Sequence, residues 1–113
     1  MFIPESIRIG SCDYEVEFTG NDLVANRKEC YARIDYDNHL IEINSKLGDK
    51  QQRELSFLHE MFHAIAKERG LEFEDEELIV DELAKGLHQV IRDNQEMFVD
   101  RPYPINSKEE INV

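Results

Sequence analysis

The sequence predicts an α+β fold, N-terminal antiparallel β-hairpins in a small sheet followed by two packed α-helices. Three observations predict it. Apolar and polar residues alternate in short runs up to Asn44. From about residue 50 to residue 94 the apolar residues recur at helical spacing instead. Between the two regimes stands Gly48-Asp49, a chain break followed by a helix N-cap residue. A chain of 113 residues makes one domain spanning 1–113, with a core over about 6–94 and an irregular tail over 95–113.

The first strands fall in residues 6–19, which carry Ile7, Ile9, Tyr14, Val16 and Phe18. Gly10-Ser11 can turn the chain there and make a first hairpin. Residues 20–29 are polar and read as a loop or a short helical turn. Residues 31–36 and 39–44 alternate again, and Asp37-Asn38 at the tip between them predicts a second hairpin. The run 39–44 is short and carries Glu42, as suits a strand at the sheet edge, to which a peptide could add.

Asp49, with Gln52 three residues on, predicts a capping box. The helix it opens runs to about Arg69, and Gly70 ends it. Leu55, Leu58, Phe62, Ile65 and Ala66 share one face, with His59 and His63 at its edge. The acidic run 74–77 suits the start of a second helix, because carboxylates are favoured by the N-terminal end of the dipole. That helix runs to about Asn94 and is expected to bury Val80, Leu83, Leu87, Val90 and Ile91. The short loop between the helices lets them pack antiparallel.

Composition narrows the function. There are 25 acidic and 13 basic residues, a net charge of −12. So acidic a surface argues against nucleic acid or an anionic membrane as partner. No run approaches the roughly 20 apolar residues of a membrane helix. Cys12 and Cys30 have no Cys-x-x-Cys spacing and read as reduced packing residues of a cytoplasmic protein.

The chemistry is concentrated in His59-Glu60-Met61-Phe62-His63, an H-E-x-x-H sequence. On a helix, residues four apart lie about 40° apart around the axis and about 6 Å along it, so both imidazoles can reach one zinc ion. Glu60 points about 100° away from His59, towards a water rather than the metal. Catalytic zinc needs a third protein ligand and an open position. On the second helix Glu77 and Asp81 fall together at the margin of the apolar face, with Glu76 nearer its middle and Glu82 towards solvent. The third ligand lies among Glu77, Asp81 and Glu76. His88 shares the stripe of Glu77 and Asp81 and is a candidate to steady an oxyanion, as are Tyr31, Tyr36 and Tyr103. His39 reads as an exposed hairpin residue.

His59-Glu60-x-x-His63 followed by Glu77-x-x-x-Asp81 resembles the gluzincin branch of the zincin metallopeptidases. The order of elements, strands and then two helices, resembles the small phage- and prophage-encoded metallopeptidases related to the ImmA/IrrE group. The resemblance covers roughly residues 8–94. Those proteins often have small residues after the second-helix glutamate, where this chain has Leu78-Ile79. The resemblance implies Glu77 as third ligand and Asp81 as the carboxylate behind a ligand histidine. It implies a minimal zincin-like domain that uses Zn²⁺ and Glu60, as general base, to hydrolyse a peptide or protein substrate. The alternative is a zinc-binding structural or regulatory domain without proteolytic activity.

Overall fold

The computed structural model describes residues 1–20, 23–25 and 28–100. The fold is α+β, a four-stranded sheet followed by two helices. Strands β1 (Ser6–Ile9) and β2 (Cys12–Thr19) form the first hairpin, with Ile9 opposite Cys12. Gly10 in its turn has φ +60°, a conformation glycine adopts without steric cost. Strands β3 (Leu23–Ala25) and β4 (Lys28–Cys30) pair as a separate two-stranded ribbon. Residues 20–29, expected as a loop or helical turn, thus hold strand pairing that their polar composition hides. Strands β5 (Ala32–Asp35) and β6 (Leu40–Asn44) make the second predicted hairpin.

The main sheet has the order β1-β2-β6-β5, with β2 and β6 parallel. Both hairpins are antiparallel, as expected, and the chain crosses over between them so that they join through the parallel pair β2 and β6. The same order overturns the edge role of 39–44. β6 hydrogen-bonds β2 on one side and β5 on the other, so it has no free backbone row for a peptide. Ile41 and Ile43 on β6 are fully buried, as is Tyr14 on β2. Burying each isoleucine contributes roughly 1.5–3 kcal/mol.

Helix α1 (Lys50–Glu68) packs on this sheet, and α2 (Glu76–Asp93) packs on α1. The Asp49 carboxylate accepts from the Gln51 backbone N–H at 2.9 Å, while the Gln52 amide turns to Ser56 Oγ at 3.2 Å. The cap therefore forms, but without the reciprocal Gln52 bond of a capping box. At the other end Leu71 N–H donates to Ala66 C=O and Gly70 N–H to Lys67 C=O, and Gly70 has φ +65°. This is a Schellman closure, the role expected of Gly70.

Lying between sheet and α2, α1 is buried on more than one face, and Phe57, Glu60 and Ala64 join Leu58 and Ala66 in the interior. In α2 the buried stripe is Val80, Ala84 and His88. Leu83, expected inside, is 51 % exposed, because close approach to α1 favours the small Ala84. Residues 95–98 form a short 3₁₀ turn (Gln95–Phe98) rather than irregular chain, and the rest of the expected tail, 101–113, lies outside the described residues. Among the described residues no helix is long and apolar enough to cross a membrane.

Candidate metal centre

The seam between the helices carries the polar residues of interest. Contacts pair His63 with Glu76 and Glu77, His59 with Glu77 and Asp81, and Glu54 with His88. Residue numbers fall along α1 as they rise along α2, so the helices run antiparallel. One turn of helix separates His59 from His63, and their Nε2 atoms come within 3.2 Å. Two imidazole nitrogens on one tetrahedral zinc ion stand about 3.3 Å apart, given Zn–N bonds of about 2.0–2.1 Å. Glu77 reaches both rings from the first turn of α2, with Oε1 at 2.7 Å from His59 Nε2 and Oε2 at 2.9 Å from His63 Nε2. His59, His63 and Glu77 thus offer three ligand atoms that face one another.

The backs of the two rings are held unequally. His63 donates Nδ1–H to Glu76 Oε2 at 2.7 Å. His59 Nδ1 stands 3.6 Å from Asp81 Oδ1, beyond a hydrogen bond, and the other Asp81 oxygen takes the Lys85 ammonium at 2.8 Å. Hydrogen bonding by Lys85 holds the Asp81 carboxyl below its ordinary value, against a smaller burial effect, and His59 adds to the lowering. Glu76 therefore takes the tighter supporting role, which helical-wheel reasoning could not assign because the contact spans two helices.

Glu76 and Glu77 thus bracket the His63 ring, one carboxylate at each nitrogen, at 2.7 and 2.9 Å. Two nitrogens and a carboxylate suit zinc or a similar divalent ion. The His59 and His63 side chains are 19 % and 12 % exposed, whereas that of Glu77 is 75 % exposed, so the group is walled by α1 and open on the α2 side.

Glu60 is buried beside this group. Burial pushes its pKa up to about 7, with Glu77 adding to the rise and His63 opposing it. Tyr36, between β5 and β6, faces the same carboxylates. Burial first, then the charges of Glu76, Glu60 and Glu77, push its phenol up to about 12. Tyr31 is 59 % exposed and Tyr103 lies outside the described residues. His88 is buried and engaged with Glu54 at 3.0 Å, so it ties the helices together and is not brought to the three ligands. Glu82 is exposed, as expected. His39 is half-buried rather than open to solvent and stands edge-on to Tyr14.

Comparison with protein-family models, with curated proteins and with solved structures finds no match to this chain. The functional reading accordingly rests on the chemistry of the seam itself.

Proposed function

We propose that this chain is a zinc-dependent peptidase of the zincin kind, in which His59, His63 and Glu77 hold the metal and Glu60 carries the proton. The observation behind this reading is the meeting of both Nε2 atoms with the Glu77 carboxylate, beside a buried glutamate. Zinc held there supplies a Lewis acid for a carbonyl oxygen and lowers the pKa of a water molecule. Glu60 takes a proton from the attacking water and returns it to the leaving amine, and its burial keeps it near the neutral range that such work needs. Glu76 fixes the His63 ring, and Asp81 stands behind His59. Burial and the neighbouring carboxylates keep the Tyr36 phenol protonated, which leaves it a candidate hydrogen-bond donor to the carbonyl oxygen.

The substrate is a peptide or protein, and the net charge of −12 favours basic segments. The H-E-x-x-H helix and the Glu77-x-x-x-Asp81 spacing support kinship with the phage and prophage peptidases of the ImmA/IrrE group. The same reading has the protein act in the cytoplasm, where the free Cys12 thiol stays reduced.

Glu60→Gln tests the mechanism. It should lower peptide turnover about 10²–10⁴-fold while zinc content stays unchanged. Undiminished turnover in the variant would remove Glu60 from the reaction. Stoichiometric zinc in a wild-type chain that cleaves no peptide of a broad library would favour a structural or regulatory zinc domain instead.

A further inference from the structure

A second group of metal-ligating side chains lies at the C-terminal end of α1. The Cys12 sulfur, a His39 ring nitrogen and a Glu68 carboxylate oxygen all stand within 4.8 Å of one another, and all three residues are half-buried. They come from three separate segments. Cys12 opens β2, His39 precedes β6, and Glu68 is the last residue of α1.

The fold brings these segments together for local reasons. A side chain on Gly10 would place its Cβ 3.2 Å from the Glu68 Cβ, so the glycine turn lets α1 approach the first hairpin closely. Tyr14, fully buried, donates its phenol O–H to Glu68 Oε2 at 2.7 Å. Its ring also meets the His39 ring edge-on, at 5.1 Å between centroids. One rigid aromatic side chain thus touches two of the three potential ligands. The third, Cys12, holds its sulfur within 4.8 Å of the same Glu68 carboxylate.

We propose that Cys12, His39 and Glu68 form a second divalent-cation site, of the zinc class, that clamps the end of α1 to the two sheet turns. A thiolate and a carboxylate balance the charge of a divalent ion, and a neutral imidazole completes three protein ligands, leaving a position for water. Sulfur among the donors selects zinc-like ions over magnesium or calcium, which prefer oxygen. Binding releases the thiol proton to solvent as the metal–sulfur bond forms. The site shares no residue with His59, His63 and Glu77, so it stands or falls independently of the proposed peptidase activity.

Cobalt(II) added to the metal-free full-length chain distinguishes the two groups, because thiolate ligation gives a near-ultraviolet sulfur-to-cobalt charge-transfer band. The seam group contains no sulfur and cannot produce it. The band should appear in the wild type, persist in His59→Ala/His63→Ala and in Cys30→Ser, and vanish in Cys12→Ser. His39→Asn retains a residue that tolerates the left-handed backbone at φ +49° and should weaken cobalt binding at this site more than about tenfold. In the unaltered chain, Zn²⁺ should slow alkylation of Cys12 by iodoacetamide, read by peptide mass spectrometry. No charge-transfer band at saturating cobalt, a band that survives Cys12→Ser, or alkylation of Cys12 indifferent to zinc would each overturn the proposal.

Discussion

His63 is engaged at both nitrogens of its ring. Its Nδ1 is bound to Glu76, while its Nε2 meets both His59 and Glu77. A ligating imidazole depends on the carboxylate behind it for tautomer and orientation, and loss of that support typically costs 10–100-fold in metal affinity. In a Cys12→Ser background, Glu76→Gln should therefore weaken zinc binding about 10–100-fold, and Asp81→Asn should weaken it less. Competition with a chromogenic chelator measures both, and the reverse order would reassign the supporting role to Asp81. The motif residues were legible in the sequence because their spacing is local. Glu76 was legible only as an alternative ligand, since its bond to His63 depends on how two helices meet.

Glu54 presents a second test at the same scale. Burial alone would raise its pKa, but hydrogen bonds from His88 and the Met1 ammonium outweigh burial and hold it below 4.5. A carboxyl depressed by folding stabilises the native state fully above its unfolded value, and that stability is lost as pH falls through the folded value. The excess melting temperature of the wild type over Glu54→Gln should accordingly be complete above pH 4.5 and shrink as the pH drops below it. A gap that stays constant through this acid range would show that the Glu54 charge contributes nothing.

At the scale of elements, the phase of α2 decides what can be changed. Leu83 is exposed and Ala84 is fully buried against α1. Leu83→Gln should alter unfolding free energy by no more than about 0.5 kcal/mol. Ala84→Leu should cost about 1–3 kcal/mol by overpacking, as read from urea denaturation. Periodicity found the helix and its inward face, since Val80 is buried and Leu87 and Ile91 pack against the core; hydrophobic size misplaced Leu83, because the interior line runs through the small Ala84 instead. The β5–β6 hairpin was likewise legible from its alternation and its Asp37-Asn38 tip. Its place in the sheet was not, since nothing within the hairpin encodes that β2 occupies the other side of β6.

For the whole molecule, a net charge of −12 loads the folded chain with self-repulsion. Raising ionic strength from about 0.01 M to about 0.15 M shortens the screening length from about 30 Å to about 8 Å. The melting temperature should rise over that interval, measured by calorimetry on the metal-free protein, and a fall would mean that favourable ion pairs outweigh the repulsion. Composition made this behaviour legible. The Cys12, His39 and Glu68 group was not, since its members lie on three segments that only the folded sheet and helix bring together.

The parallel seam also sets an order of assembly. In β5–β6, Asp35 meets Leu40, five residues away, whereas in β2–β6, Glu15 meets Leu40 across twenty-five. The cost of closing a loop grows with the logarithm of its length, so the short hairpin can nucleate early and the long crossover closes later. The Tyr14 and Glu68 pair spans a still longer stretch of chain, which makes docking of the helix end onto the sheet a late event in folding.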